Sequence, residues 1–278
     1  MANFVVKTDN LEEVRKFYSG VLGYEEVFRH QRAITGDAEI AAFKINERQY
    51  IEVAEILERE EDDKLIQIGF ETDDARALRD YLDAHGVAIP ASVAKDSDGN
   101  YSFVVKDPTG HSVEFVQYLE GSLHARHRSH ALSDRRISDH IMHVGVVVYD
   151  VAAQDRFYKD ILGFRFLWAG GLRDDRFDWI SLLTPDGDNW IEYMVAHDGP
   201  PSPQQLGVWH HACVGTLDIE KVHQSVLERG YTPPRAPYVA RDGRLLLHMF
   251  DKHNTRTEAM VRKPVEKPCC SENMDPYL

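Results

Sequence analysis

Short apolar segments alternate with amphipathic segments along this chain in a fixed order. The apolar run Phe4–Asp9 (FVVKTD) predicts a strand, and the segment Leu11–Tyr24 that follows carries apolar residues at helical spacing. We expect Asp9 to cap this helix, because a side-chain oxygen satisfies the free amides of a first turn. Gly23 suits the left-handed end of a helix. Further strands follow and close with Tyr50–Glu55 (YIEVAE), which together predict a βαβββ module.

The same order is written a second time. Val144–Asp150 (VGVVVYD) precedes Val151–Phe164 (VAAQDRFYKDILGF), which shares the pattern Phe-Tyr-x-x-x-Leu-Gly-aromatic with the first helix. Gly163 again ends the helical pattern, and Trp190–Val195 (WIEYMV) closes the module. A long-range repeat of this kind indicates two copies of one structural design.

A second, fainter pair of modules follows the same plan. One comprises the strand Leu65–Phe70, the helix Ala75–Ala84, and the strands Tyr101–Val105 and Ser112–Gln117; the other comprises Ala212–Gly215, the helix Ile219–Arg229, and the strands Leu245–Phe250 and Thr257–Val261. We therefore predict an α+β fold of four βαβββ modules, two in each domain. The expected boundaries are a first domain at 1–120, a linker at 121–138, a second domain at 139–264 and a tail at 265–278.

The amino-acid composition excludes some classes of function. The 278 residues include 32 basic and 46 acidic ones, a net charge of −14, so no basic footprint for nucleic acid dominates. The Arg- and His-rich segment Leu123–Arg136 is interpreted as solvated linker. No apolar run reaches the length of a membrane helix and no secretion signal is visible, so we expect a soluble, cytoplasmic protein with no membrane partner. Its three cysteines, Cys213, Cys269 and Cys270, are expected to be reduced thiols.

Histidine occupies one repeated position in the second half only. Counting seven residues back from the helix-capping Asp150 and Asp218 gives His143 and His211. The same count from Asp9 and Asp73 gives Ala2 and Ile66 in the first half. Residues present in only one copy of a shared scaffold point to chemistry, so this pair is a candidate for metal binding.

Two carboxylates lie at matching places in the closing strands of the same modules, Glu192 and Glu258. Two histidines and one or two glutamates can converge on a divalent ion with open positions for substrate, whether Fe(II), Mn(II), Ni(II), Co(II) or Zn(II). Glu52 and Glu114 occupy the same places in the first half, so glutamate there is also compatible with a scaffold role.

Further histidines lie close to these segments in sequence. His248 is in the apolar strand LLLHMF, before the strand of Glu258, where a structural role and a catalytic acid/base or substrate-contacting role are both open. His197 follows a closing strand and is a candidate to cover the site, whereas His210 is out of register with His143. Aromatic residues are expected to line part of the barrel: Phe177, Trp179, Trp190, Tyr193 and Trp209.

These motifs resemble the vicinal oxygen chelate superfamily, also called the glyoxalase/bleomycin-resistance/extradiol-dioxygenase superfamily. The resemblance rests on the Phe-Tyr-x-x-x-Leu-Gly repeats, the turns DPTGHSVEF and TPDGDNWIEY, and the residues His143, His211 and Glu258. It implies that each pair of modules curls into an incomplete barrel. An N-terminal domain without metal and a C-terminal domain with a His, His, Glu set in this order is similar to the extradiol ring-cleaving dioxygenases.

That resemblance implies a mononuclear site, with Fe(II) favoured, an aromatic catechol-like substrate and O₂, in a homo-oligomer. The sequence departs from the dioxygenases at His248, where they carry tyrosine, while His197 matches their acid/base histidine. With Glu192 as a fourth ligand, the set instead resembles glyoxalase I and related isomerases, lyases and epimerases, in which the metal is a Lewis acid. A third alternative is a protein that binds small molecules without turnover.

Overall fold

The computed structural model describes residues 1–272, without the side chains of Ala33 and Gln204. The part of the predicted tail at 273–278 lies outside the described residues. The chain divides into two compact units, one formed by residues 1–19 and 23–136 and the other by residues 20–22 and 137 onward.

The first unit contains eight strands and three α-helices. The strands are β1 (Asn3–Thr8), β2 (Glu26–Gln31), β3 (Glu39–Lys44), β4 (Tyr50–Glu55), β5 (Leu65–Glu71), β6 (Ala94–Lys95), β7 (Tyr101–Lys106) and β8 (Ser112–Gln117). The helices are α1 (Leu11–Arg15), α2 (Ala75–Ala84) and α3 (Leu123–Arg126), with a π-helical turn at Lys16–Val21 and a 3₁₀ turn at Ala33–Thr35.

The second unit repeats this order. Its strands are β9 (Ile141–Val148), β10 (Arg165–Gly170), β11 (Trp179–Leu183), β12 (Trp190–Val195), β13 (His211–Thr216), β14 (Tyr238–Val239), β15 (Leu245–Phe250) and β16 (Arg256–Val261). Its helices are α4 (Val151–Asp155), α5 (Pro203–Trp209) and α6 (Ile219–Glu228), with a π-helical turn at Arg156–Ile161.

Each unit is built on one eight-stranded sheet with the same strand order. The first sheet runs β2-β3-β4-β1-β5-β8-β7-β6 and the second runs β10-β11-β12-β9-β13-β16-β15-β14. In each, the two central strands are antiparallel to one another, and each is parallel to its outer neighbour. This confirms the predicted α+β fold of paired βαβββ modules, with each sheet forming an incomplete barrel.

Two of the predicted helix caps are wrong by one residue. The side chain of Asn10, not Asp9, accepts hydrogen bonds from the amides at the start of α1. Asp74, not Asp73, does the same for α2. The caps of α4 and α6 are the predicted aspartates. In both wrong cases two capping residues stand side by side, and the position of the helix on the sheet selects the second.

This shift moves the register of the first unit. Seven residues before its true caps lie Asn3 and Gln67, rather than the predicted Ala2 and Ile66. The positions that match the two histidines therefore carry polar amide side chains. Both amides are buried, at 2% and 1% exposure.

The predicted linker is not simply solvated. It includes α3, and the imidazole of His124 is buried and lies 3.0 Å from the amide nitrogen of Asn100. The expectation of reduced thiols is also wrong for two of the three cysteines, because Cys269 and Cys270 form a disulfide while Cys213 is free and buried. Among residues 1–272, no helix combines the length and apolar character needed to cross a bilayer.

Candidate metal centre

The two central strands of the second sheet each contribute one imidazole. His143 lies on β9 and His211 begins β13, and in their antiparallel register His211 stands opposite Gly145. Glu258 lies on β16 beside β13, and Glu192 lies on β12 beside β9. Four adjacent strands thus present the four candidate side chains.

The structure brings these four side chains together. The Nε2 atoms of His143 and His211 are 3.1 Å apart, and Oε2 of Glu258 lies 3.5 Å from each of them. Oε2 of Glu192 lies farther away, 4.0 Å from His143 Nε2 and 3.6 Å from His211 Nε2. Both histidines are buried, at 1% and 0% exposure.

These distances fit the residues expected to hold a divalent ion. Two imidazole nitrogens that face each other need a proton or a cation between them. Ligand atoms about 2.1 Å from an ion are roughly 3.0–3.4 Å from each other at angles of 90–109°. The separations among His143, His211 and Glu258 lie close to that range, whereas Glu192 would reach the same ion only after a small shift.

A glycine makes room for one of the imidazoles. A Cβ atom on Gly145 would lie 2.0 Å from Cε1 and 2.2 Å from Nδ1 of His211. Because the ring packs directly on the backbone of β9, its position depends on the missing side chain. Sequence reasoning did not single out this glycine, although it stands two residues after His143 on the same strand.

Neighbouring groups orient both rings. Nδ1 of His211 lies 2.8 Å from the carbonyl oxygen of Trp209, so Nδ1 carries the proton and donates to that oxygen. This leaves the Nε2 lone pair directed into the centre. The ring of His143 stacks on Trp190 with centroids 5.0 Å apart and an angle of 24°. Contacts of this kind fix ring orientation before a metal binds.

The charge states also suit a metal. Burial alone would raise the pKa of Glu258, but the Arg256 guanidinium, with a hydrogen bond from His248, outweighs burial and holds this pKa well below its usual range. Burial holds the pKa of His211 well below its usual value. An ionised carboxylate and a neutral imidazole are the forms that ligate metals. Burial raises the pKa of Glu192 to about 7, so this carboxyl exchanges a proton near neutral pH.

Arg256 is a residue of the centre that sequence reasoning missed. Its NH1 atom lies 3.2 Å from Oε1 of Glu258, and its NH2 atom lies 2.8 Å from Nδ1 of His211. Because Nδ1 already donates to the Trp209 carbonyl, it cannot also accept from the guanidinium, and we assign the ion pair with Glu258 as the favourable contact. The signal was available, since residues two apart on a strand share a face.

The two histidines proposed for catalysis lie in different places. Nε2 of His248 is 3.0 Å from Oε1 of Glu258 and 3.2 Å from the hydroxyl of Tyr238, so His248 belongs to the cluster. The structure does not bring His197 to it. His197 Nε2 instead lies 2.9 Å from the carbonyl oxygen of Phe177.

A cavity of about 140 Å³ opens onto the cluster, lined by Glu192, Glu258, His248, Trp168, Trp179 and Tyr238 among others. A second cavity of about 370 Å³ contains His197 and Trp209. Trp179 and Arg256 border both cavities. Of the aromatic residues expected to line the site, Trp179 faces the first cavity, whereas Tyr193 is buried in the core and Phe177 is 44% exposed.

The segment after β16 packs beside the first cavity. The indole nitrogen of Trp168 donates to the carbonyl oxygen of Cys269 at 3.1 Å, and the amide of Ala169 donates to Oγ of Ser271 at 2.8 Å. Since Trp168 lines the cavity, this returning segment supports part of its wall.

Comparison with known proteins shows the family to which the chain belongs. A model of the Glyoxalase/Bleomycin resistance protein/Dioxygenase superfamily matches residues 1–115 and 140–258. A search of curated proteins gave no match. Similar solved structures include the Mn(II)-bound glyoxalase from Novosphingobium aromaticivorans, with a TM-score of 0.68, 17% identity and coverage of 94% of this chain and 81% of that one.

Two further similar structures are dioxygenases. The 2,3-dioxygenase LapB from Pseudomonas sp. KL28 has a TM-score of 0.70, 17% identity and coverage of 96% of this chain and 94% of that one. An extradiol ring-cleaving dioxygenase from B. fuscum has a TM-score of 0.67, 18% identity and coverage of 99% and 74%. At these identities the likeness describes the fold, and it spans proteins of different chemistry.

Proposed function

The chain belongs to the glyoxalase/bleomycin resistance protein/dioxygenase superfamily, and from this premise we propose that its second unit is a metal-dependent dioxygenase of the extradiol type. The substrate is an aromatic compound with two adjacent oxygens, and the second substrate is O₂. His143, His211 and Glu258 hold the ion, for which Fe(II) is favoured and Mn(II), Ni(II), Co(II) or Zn(II) are alternatives. When bound, the ion would hold the two substrate oxygens and activate O₂.

The observation that carries this proposal is the convergence of three potential metal ligands, His143, His211 and Glu258. Two imidazole nitrogens and one carboxylate oxygen lie within 3.5 Å of each other, and a cavity lies beside them. A set of three protein ligands leaves positions for both substrates. The cavity of about 140 Å³ is close to the roughly 150 Å³ in which one benzene ring is known to fit.

Residues around the ligands would bind the ring and move protons. Trp168, Trp179 and Tyr238 offer aromatic walls on which a substrate ring can pack. His248 lines the same cavity and lies within hydrogen-bond distance of Glu258 and the Tyr238 hydroxyl. An imidazole placed there can take the proton of a substrate hydroxyl and return it to the product. Tyr238 supports the ring of His248 in that role.

A second candidate is favoured by one observation on Glu192. This carboxyl faces both histidines and has a pKa of about 7, raised by burial. A group that exchanges a proton near neutral pH suits the proton transfer of a glyoxalase-like isomerase or lyase, with no need for O₂. In that chemistry Glu192 would be a fourth ligand or the base.

The experiment that tests the proposal has two stages. Metal content is measured after reconstitution for the unchanged protein, for His211→Ala and for His210→Ala. His210 is a matched control because it is the adjacent histidine and is equally buried, at 2% exposure. We expect His211→Ala to lose most of its metal and His210→Ala to retain it. Equal metal content in all three proteins would contradict the metal assignment.

The second stage separates the chemistries. Fe(II)-loaded protein is mixed without oxygen with a panel of catechols, and O₂ is then admitted. Oxygen uptake coupled to ring cleavage supports the dioxygenase. Turnover of a hemithioacetal without O₂, lost in Glu192→Gln, supports the isomerase instead. Metal binding and tight ligand binding with neither reaction would leave the protein as a small-molecule binder and refute both enzymatic proposals.

A further inference from the structure

The first sheet contains a set of side chains at the same positions as the candidate metal centre. Strand pairing fixes the match: His143 pairs with the first residue of β12 and Asn3 with the first residue of β4, while Glu258 and Glu114 occupy corresponding places in the other parallel pair. The residues that correspond to His143, His211, Glu192 and Glu258 are Asn3, Gln67, Glu52 and Glu114. Both carboxylates are therefore kept, and both imidazoles are replaced by amides.

A guanidinium lies among these four side chains. NH1 of Arg32 is 2.8 Å from Oε2 of Glu114, and NH2 is 3.1 Å from Oε2 of Glu52. The amide nitrogens of Asn3 and Gln67 donate to the same Glu114 oxygen at 3.0 and 2.9 Å. In the second sheet the corresponding oxygen, Oε2 of Glu258, faces the two imidazole nitrogens instead.

The cluster around Arg32 is closed to solvent and rich in negative charge. The side chain of Arg32 is 7% exposed, and those of Glu52 and Asp98 are fully buried. Burial alone would lower the pKa of Arg32, but Glu114, Glu52 and Asp98 outweigh it and raise this pKa, so the guanidinium is charged. Nδ1 of His30 lies 2.6 Å from Oδ1 of Asp98. Such a group of carboxylates needs a resident cation.

Two buried amide oxygens of the same side chains have no hydrogen-bond donor among the residues that the structure describes. They are Oδ1 of Asn3 and Oε1 of Gln67. Buried polar atoms are nearly always satisfied, and amide and carboxylate oxygens are the ligands that hard divalent cations prefer. Asn3 and Gln67 therefore carry acceptor oxygens that the guanidinium of Arg32 does not satisfy.

We propose that the first unit retains the cage of a second metal centre in which the guanidinium of Arg32 has taken the place of the ion. The cage is oxygen-rich and suits a hard divalent cation such as Mn²⁺ once Arg32 is removed. Its cation is part of the chain, so this unit folds without an external metal. The proposal rests on the metal centre proposed for the second unit, and its test reads the first unit separately.

The first test replaces the cation in the full-length chain. Arg32→Ala removes the buried guanidinium from Glu52 and Glu114 and is expected to lower the melting temperature by roughly 10 °C. Millimolar guanidinium or Mn²⁺ should then raise it more than in the control Arg29→Ala. Arg29 suits this purpose because it is an arginine three residues earlier whose ion pairs with Glu26 and Glu39 lie at the surface. No greater rise in Arg32→Ala than in Arg29→Ala would overturn the proposal.

The second test restores the imidazoles. The variant Asn3→His, Gln67→His, Arg32→Ala should bind one more Mn²⁺ per chain than the unchanged protein, and adding Glu114→Gln should abolish that gain. The readout is a difference of one ion, so it is independent of whether the second unit binds metal. A folded triple variant that binds no additional Mn²⁺ would refute the proposal. If this variant fails to fold, the rescue of Arg32→Ala by guanidinium or Mn²⁺ decides alone.

Discussion

Replacing Gly145 by alanine should destroy metal binding without changing a ligand. The added Cβ would lie 2.0 Å from Cε1 of His211, whereas ordinary contact begins at 3.4 Å. The imidazole must therefore retreat by about 3.4 − 2.0 = 1.4 Å, because the backbone of β9 is held between two neighbouring strands. Metal–nitrogen distances tolerate only about 0.2 Å, so the displaced ring can no longer bind an ion shared with His143.

The expected cost has two parts. Overpacking of a buried site destabilises the fold by roughly 1–3 kcal/mol. Loss of correct ring placement should weaken metal affinity by at least the 10–100-fold that follows removal of a group that orients a ligand. The second effect is the larger one for function, because the protein still folds while the centre is deformed.

The assay compares two glycine variants by metal titration and thermal melting. Gly215→Ala is the matched control, since Gly215 lies on β13 with His211 and its added Cβ would meet the flexible side chain of Met142 at 2.7 Å. We expect Gly145→Ala to lose metal and Gly215→Ala to keep it. Unchanged affinity in a folded Gly145→Ala protein would refute the placement of His211 as a ligand.

Two further predictions concern the candidate metal centre, and a third concerns the buried His124 of the first unit. Glu258→Gln should weaken metal affinity by at least roughly tenfold and Glu192→Gln by much less, which isothermal titration with Mn²⁺ would check; the reverse order would make Glu192 the ligand. His248→Phe should retain metal but lower kcat by roughly 10²–10⁴-fold, and an unchanged kcat would remove its acid/base role. The buried His124 has a pKa lowered to about 3, so the unfolded chain takes up a proton near pH 6.5 that the folded chain refuses. The free energy of unfolding should then fall as pH drops from 6.5 towards 3, by about 2 kcal/mol at pH 5. Urea unfolding of His124→Phe should show a weaker dependence of this free energy on pH than the unchanged protein does.

Much of the fold could be predicted because it is written in local patterns. Five elements, including α2, β4 and β12, have the predicted bounds, since the apolar pattern of each is clear within its own residues. The register of the first unit could not be predicted, because Asp9 and Asn10 are both good caps and only packing on the sheet distinguishes them. That one-residue shift hid Asn3, and the same shift from Asp73 to Asp74 hid Gln67.

The sequence predicted those residues of the candidate site that occupy a repeated position in the modules. His143 and His211 stand out because the same position recurs in two modules. Arg32 carries no such mark: it approaches Glu114 from 82 residues away along the chain, and no short-range pattern encodes that contact. The distinction between His248 and His197 is likewise set by how loops and strands pack, which spacing alone does not report.

The carboxyl-terminal segment has a practical consequence for anyone who handles this protein. It returns to β10, where it accepts hydrogen bonds from the indole of Trp168 and the amide of Ala169. A clone trimmed soon after β16, or a purification step that changes the bonding of Cys269, would alter the wall against which a ligand rests. Kinetic constants from shortened and full-length preparations should therefore not be pooled.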